Sequence, residues 1–444
     1  MNSFDAIEQK MQSVGLSAAA VNAFRHSVEV LTSDRSMMIP ESDIVPAQDV
    51  ADWEGLVSTT PEADAGLLAQ AVLIKLNGGL GTSMGLQKAK SLLEIKPGVT
   101  FLDLIVRQVK SLRERAGYPV SLLLMNSFST AADTMAHLSR YREGGFAAPA
   151  QVEMIQNRVP KLRTDTLEPV SFPENPDLEW CPPGHGDLYP AMVGSGWLDK
   201  LLAAGVKYAF VSNSDNLGAQ LDTRFLRWFA ESGAPFVMEV TRRTEADRKG
   251  GHLAVRRSDG QPLLREVAQC PEEDVAAFQD ITKHRYFNTN NLWIRLDSLK
   301  DLMEKHGGVM PLPVIRNVKT VDPRDAATPE VYQLETAMGA ALECFPGARA
   351  VCVPRSRFFP VKTCSDLLLL RSDAVVIDEA GAMSLAPECG GEAPVVQLDA
   401  KIYKLVDSLD SLGIPSLKNV KHLVVKGAHH FADGEALCGD VEIG

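Results

Sequence analysis

The sequence predicts an α/β protein on a doubly wound, mostly parallel sheet, and three observations carry that expectation. Short apolar runs alternate with helical patterns from residue 71 to about residue 380. One of these runs, Leu73–Leu76, breaks into Gly78-Gly79-Leu80-Gly81-Thr82-Ser83-Met84-Gly85, four glycines in eight positions. Polar clusters stand where strands should end, Asn213-Ser214-Asp215 after Val211 among them. Ligands of such sheets bind outside the carboxyl ends of the strands.

Taken in order, residues 1–70 read as a helical N-terminal segment. Ser3 and Ser17 are candidate N-caps for helices over Phe4–Val14 and Ala18–Leu31. Ile44-Val45-Pro46 and Pro61-Glu62-Ala63-Asp64 punctuate the run, which carries no visible chemistry and should pack on the main domain. Residues 71–380 form the expected main domain. After the glycine loop, Thr100 caps a helix over Phe101–Arg115 that Gly117 ends. Strands are expected at Ser121–Met125, Tyr208–Ser212, Pro235–Val240, His252–Val255, Leu292–Leu296 and Ala350–Val353. Residues 381–444 turn β-rich: Pro394–Leu398, Leu423–Lys426 and Val441–Ile443 alternate with Gly427, Gly434 and Gly439.

Composition bounds the function. The 444 residues are 45% hydrophobic and 23% charged, as in an ordinary globular protein of two or three domains. A net charge of −12 argues against nucleic acid or an anionic membrane as the main partner. An anionic substrate then needs a local basic site in an acidic surface. The seven cysteines include no C-x-x-C pair and are odd in number, so they read as reduced thiols in a cytosol. Among nine histidines only His429-His430 are adjacent, which gives no legible zinc site. With no basic-then-apolar leader after Met1 and no run near the ~18 apolar residues of a membrane span, a cytoplasmic location is expected.

A glycine-rich turn whose N–H groups point inward, with Thr82, Ser83 and Lys90 nearby, suits a polyphosphate. On these residues alone a tight turn without ligand is an equal alternative. The loop is not a Walker A motif, because no GK[ST] follows glycines five apart. It is not the dinucleotide fingerprint either, since Met84 stands where the third glycine belongs.

The spacing Leu76-x-Gly78-Gly79-x-Gly81-Thr82-x-Met84-Gly85-x4-Lys90 resembles the nucleotide-binding signature of the UDP-sugar pyrophosphorylase family. Further segments resemble that family in the same order: MNSFST, QNRVPKL, PPGHGDLYPAM, FVSNSDNLGA, KGGHLAV, FNTNNLWI, QLETAMGAA and VPRSRFFPVKTCSDLLL. The resemblance implies a nucleotide-diphospho-sugar transferase (Rossmann-like) fold and a small C-terminal left-handed β-helix. It implies uridylyl transfer from UTP to a hexose 1-phosphate, with Mg²⁺ as cofactor. The FNTNNLW and NSDNLGA text favours glucose over N-acetylhexosamine or a broad sugar range. A glycosyltransferase would more typically show Asp-x-Asp, and a non-catalytic regulator would be expected to lack Lys90 or Lys362. The chain stops at Gly444, so few β-helix rungs are expected, and with them a monomer or low-order oligomer.

The resemblance also assigns roles. Leu76, Asn77, Gly78 and Gly79 would line the UTP site, with Lys90 reaching the triphosphate. Gln87-Lys88-Ala89-Lys90 stands where Gly-Pro-Lys is common, so Lys88 competes for that role, but Lys90 keeps the spacing. Lys362 would contact the phosphates from another segment, as the catalytic lysine; the alternative is a polar surface turn. Gln156 would read uracil through its amide and Gly184 through its backbone. His185, Asn213, Ser214 and Asp215 would meet the sugar phosphate, and Asp215 would hold the metal; an Asx-turn carboxylate is the alternative. Gly251, Glu266, Asn288 and Asn290 would form the sugar pocket, although Gly251-His252 stands where Gly-Thr is frequent. A phosphate monoester is already largely ionised at pH 7, so no general base is required. Charge neutralisation and in-line positioning should therefore carry the catalysis.

Overall fold

The computed structural model describes residues 4–33, 37–146 and 148–444. Ser3, a candidate cap, lies outside them. The chain is mixed α/β and divides into two compact units that are each discontinuous in sequence. One comprises Met1–Ile74, Met154–Val211 and Asp222–Pro354; the other comprises Lys75–Glu153, Ser212–Leu221 and Arg355–Gly444.

In the first unit the large sheet runs in the order Ala51–Asp52, Arg349–Cys352, Phe236–Arg242, Tyr286–Arg295, then most of Tyr208–Asn213 and the first half of Ala71–Asn77. Ala71–Asn77 is buried at every position but Leu76, the near-continuous apolar run of a strand covered on both faces. Tyr286–Arg295 runs antiparallel to both neighbours, whereas Phe236–Arg242 pairs in parallel with Arg349–Cys352. Trp293 on the antiparallel strand is fully buried, in contact with Phe210, Phe225 and Phe229. Its indole Nε1 donates to Glu239 at 2.8 Å, and the Asn291 amide donates to the same carboxylate at 2.9 Å. A carboxylate in mid-sheet is tolerable because both oxygens accept hydrogen bonds.

Several elements follow the sequence. Ser17 caps Ala18–Thr32 by accepting from the Ala20 N–H at 3.2 Å. The expected strands at 208, 235, 252 and 350 are present within a few residues of their expected ends. Others correct it. The strand expected at Leu292–Leu296 begins at Tyr286, and Leu296 opens the helix Leu296–Lys305. The polar Phe287-Asn288-Thr289-Asn290-Asn291 text hid its first half. Asn290 adopts φ 58° at a register shift in the pairing with Phe236–Arg242, a conformation asparagine tolerates. Residues 1–70 are not helical throughout: Ile44–Pro46 pairs with His252–Arg256, and Ala51–Asp52 with Arg349–Cys352. An antiparallel pair, Val314–Thr320 with Glu330–Thr336, has no counterpart in the sequence reading, because Arg316, Asn317, Lys319, Gln333 and two glutamates mask the alternation.

In the second unit, Phe101–Ala116 starts from a capping box in which Thr100 and Asp103 satisfy each other's N–H groups, and it stops at Gly117 in the left-handed region. Burial alone would raise the Asp103 pKa. Hydrogen bonds from His137, Tyr141 and Thr100 outweigh it and hold the carboxyl well below its usual range. The C-terminal part carries a three-stranded parallel sheet, Val395–Leu398, Val420–Val425 and Gly439–Ile443. Among the described residues no helix is long and apolar enough to cross a membrane.

Candidate functional site

The glycine loop is closed by its own backbone. The Lys90 N–H donates to the Gly79 carbonyl at 3.0 Å, and the Met84 N–H to the Gly81 carbonyl at 2.9 Å. Gly81 and Gly85 sit at φ 62° and 83°, in the left-handed region that favours glycine. Met84 is buried, which explains a large apolar residue inside a polar loop. The start of the loop is anchored by residues that sequence reasoning left without a role. The Asn77 amide donates to Asn126 at 2.7 Å and to Thr134 at 3.0 Å. Thr130 Oγ1 donates to the Asn77 carbonyl and Ser127 Oγ to the Gly78 carbonyl, both at 2.8 Å. The available signal was the MNSFST text, which holds Asn126, Ser127 and Thr130.

Lys90 Nζ meets the Asp215 carboxylate at 2.6 Å, with both side chains 18% exposed. Lys88 is exposed, and of the two lysines only Lys90 makes this pair. Asp215 follows the strand Tyr208–Asn213, and the Ser214 N–H donates to the Leu76 carbonyl at 3.0 Å, which ties the Asn213-Ser214-Asp215 turn to the strand that feeds the glycine loop. The Lys362 segment pairs onto the same turn. Val361 N–H donates to the Asp215 carbonyl at 3.3 Å, and Phe359 N–H to the Asn216 side chain at 2.9 Å. Lys362 is exposed, and its N–H is held by Asp366 at 2.9 Å within the capping box of Cys364–Arg371. Leu76, Asn77, Gly78, Gly79, Lys90, Asn213, Ser214, Asp215 and Lys362 thus belong to one connected neighbourhood.

The donor set also bears on the metal. Among the described residues no group of three or more His, Cys, Asp or Glu side chains could hold an ion. A lone carboxylate does not make a resident cage, but Mg²⁺ typically takes one or two carboxylates with phosphate oxygens and water. Asp215 fits an ion that arrives with a polyphosphate.

The first unit carries the other predicted residues in two clusters. In the first, Gln156 Nε2 donates to the Gly184 carbonyl at 3.0 Å. Gly184 has φ 80°, and a Cβ there would lie 2.4 Å from the Thr336 carbonyl, so the backbone is seated directly on the strand Glu330–Thr336. His185 Nδ1 accepts from the Met338 N–H at 3.0 Å. That bond leaves the proton on Nε2, and burial lowers the imidazole pKa to about 4, so at neutral pH His185 is an uncharged donor.

In the second cluster, a Cβ on Gly251 would come within 2.6 Å of the Glu266 carboxyl. The Asn288 N–H donates to the Gly251 carbonyl at 3.1 Å, and the Asn288 amide donates to Asn290 Oδ1 at 2.9 Å. Gly251, Glu266, Asn288 and Asn290 therefore converge. Gly339, from the QLETAMGAA text, joins them: its Cβ would lie 3.2 Å from the Asn288 amide nitrogen. Glycine there leaves the amide its position, a role that spacing alone could not show.

Comparison with known proteins places the chain in a family. The family model described as UTP–glucose-1-phosphate uridylyltransferase matches residues 21–437. The chain is 44% identical to the UTP–glucose-1-phosphate uridylyltransferase of Saccharomyces cerevisiae over 398 residues, 89% of this chain and 77% of that protein. It is 40% identical to that of Solanum tuberosum over 390 residues, 87% and 79% of the two chains. Among solved structures, a mutant UDP-glucose pyrophosphorylase from Leishmania major in complex with UDP-glucose superposes with a TM-score of 0.93 at 46% identity, covering 100% of this chain and 94% of that one. A UDP-glucose phosphorylase from Trypanosoma brucei gives 0.91 at 42% identity, covering 100% of both. With residues 21–437 matched by the family model and 89% of its length aligned at 44% identity to a relative, the chain belongs to the UTP–glucose-1-phosphate uridylyltransferase family.

Proposed function

We propose that this chain transfers the uridylyl group of UTP to glucose 1-phosphate, giving UDP-glucose and pyrophosphate. The observation that carries the reading is the Lys90–Asp215 pair at the closed glycine loop, with the Lys362 segment hydrogen-bonded to the same Asp215 turn. A phosphate oxygen of the sugar attacks the α-phosphorus in line; the new P–O bond forms as the bond to pyrophosphate breaks. Both reactants are anionic, so the task is to neutralise charge and hold the line of attack. The loop N–H groups of Gly78 and Gly79 and the Lys90 ammonium receive the triphosphate. Lys362 stabilises the negative charge that gathers on the phosphate joining the two reactants.

When bound, Mg²⁺ supplies further charge neutralisation on the phosphates, and Asp215 would hold it. Gln156 and the Gly184 backbone read uracil, and His185 donates from Nε2 to the sugar phosphate with no charge change near neutral pH. Asn288, Asn290, Glu266 and Gly251 offer amides, a carboxylate and backbone groups to the sugar hydroxyls. The domain reading of 1–70, 71–380 and 381–444 places this chemistry in the middle segment, in a cytoplasmic enzyme. The C-terminal parallel strands are read as rungs of a short left-handed β-helix, whose hand a crystal structure would decide. A monomer or low-order assembly goes with it, which light scattering would measure.

Pyrophosphate release assayed across a panel of nucleoside triphosphates and sugar 1-phosphates tests the proposal. A site built to hydrogen-bond one base rejects others by ~10⁴ or more, so UTP with glucose 1-phosphate should dominate by that order. Comparable turnover with ATP would overturn the uracil assignment, and faster turnover with an N-acetylhexosamine 1-phosphate the choice of sugar.

A further inference from the structure

Gln156 and Gly184 come from separate segments, and each needs a fixed place if the two are to read one base edge. The 183–187 turn is fastened to the strand Glu330–Thr336 by the Thr336 N–H, which donates to the Pro183 carbonyl at 2.9 Å. Gln156 is a side chain on a different stretch, and its bond to the Gly184 carbonyl fixes only its amide. Asp187 is what ties its backbone to that turn. The Asp187 carboxylate is buried at 4% exposure and takes the Asn157 N–H at 2.7 Å and the Asn157 amide at 3.0 Å. Asp187 N–H in turn donates to the Gly184 carbonyl at 3.3 Å, the oxygen that also holds Gln156. Hydrogen bonds and the Gln156–Asn157 peptide bond join the four residues in a closed ring, with Asp187 spanning the two segments.

We infer that Asp187 is a specificity-determining positioning residue: it locks the Gln156-Asn157 backbone to the Gly184 turn and so sets the geometry with which the base is read. The inference rests on the uracil reading proposed above. A buried carboxyl without a cationic partner is a costly choice where a smaller polar residue could fill the space. Among the described residues its side-chain partners come from Asn157 alone. Burial pushes its pKa up to about 7 against the hydrogen bonds from Asn157, which marks the expense of keeping it there. What the carboxylate provides is two acceptor oxygens in one plane, matched to a backbone N–H and the side-chain amide of the same residue. Asparagine at 187 would turn one of those oxygens into a donor facing the Asn157 amide.

The test compares UTP with CTP, which differ at the base edge that a Gln amide reads. For Asp187→Asn and Asn157→Ala, kcat/KM is measured with each nucleotide, with thermal melts to establish folding. Gln156→Ala serves as the control on the uracil reading. The UTP-to-CTP preference should fall by about tenfold or more in Asp187→Asn and by less in Asn157→Ala, which keeps the backbone N–H. The loss should lie in KM for UTP, with kcat little changed. If both variants fold and keep the preference within about twofold while Gln156→Ala abolishes it, Asp187 is a structural residue and the inference fails. If Gln156→Ala also leaves the preference intact, the uracil reading itself is wrong and the inference falls with it. Should Asp187→Asn not fold, Asn157→Ala alone decides by the same threshold.

Discussion

Lys362 shows what a single residue can reveal from sequence and what it cannot. Its neighbours, two prolines and two arginines, fit a surface turn as well as a phosphate site, and the residue is exposed. The pairing of Val361 and Phe359 with Asp215 and Asn216 brings the lysine's segment to the turn that Lys90 also reaches, which favours the phosphate reading. No local pattern encodes that approach; the two segments are far apart in the chain. A preorganised donor that stabilises charge in the transition state is typically worth ~10²–10³ in turnover. Lys362→Ala should lower kcat by that order while leaving the melting temperature and much of the UTP affinity intact. Lys362→Arg should rescue poorly, since a planar fork does not replace a point charge. Turnover within about threefold of wild type in Lys362→Ala would return the lysine to the surface.

Among elements, those with local signals were the most legible. The capped helix Phe101–Ala116 and the strand Ala71–Asn77 follow from a capping box, a terminal glycine and an apolar run. The strand Tyr286–Arg295 was half legible, since its Asn-rich end is held by Glu239 and by neighbouring strands and not by its own hydrophobicity. The glycine loop was legible in type, but its anchors Asn126, Ser127 and Thr130 were not, because their partners are backbone carbonyls and an amide some fifty residues away. Within that loop the glycines do different work. Gly81 has φ 62°, and a Cβ there would lie 2.8 Å from Leu86 Cδ1 and 3.2 Å from Lys90 Cγ. Gly79 has an ordinary φ and nothing within 4 Å of a Cβ. Gly81→Ala should therefore cost about 1–2 kcal/mol in urea unfolding, through the left-handed backbone, and should raise KM for UTP by displacing Lys90. Gly79→Ala should leave stability unchanged within about 0.5 kcal/mol and yet raise KM for UTP if the phosphates approach its backbone. Equal stability losses in the two variants would contradict the assignment of strain to Gly81.

For the molecule as a whole, burial has set titrating groups against each other. His185, His252 and His284 are held neutral chiefly by desolvation: the first to about 4, the second well below its usual value, the third lowered despite its bond to Glu41. In the unfolded chain each titrates near ~6.5, so their stabilisation is complete above that pH and is lost as pH falls toward the folded values. Asp187 and Glu343 run the other way. Burial raises both to about 7, so their contribution is present below the unfolded carboxyl range and is lost as pH rises through about 7. Between pH 6.5 and 5 the two sets oppose, and the total slope hides either one. A single substitution separates them. His252 is fully buried, stacked on His284 at 3.9 Å and packed against Phe278 at 4.9 Å, with Arg243 and Arg265 adding positive charge nearby. A phenylalanine could occupy that slot without titrating. In urea unfolding followed from pH 7 to pH 5, wild type should lose stability relative to His252→Phe by up to about 1.4 kcal/mol per pH unit, the full linkage slope of one proton. Parallel curves for the two proteins would mean that His252 binds its proton in the folded state, stacked histidine and arginines notwithstanding.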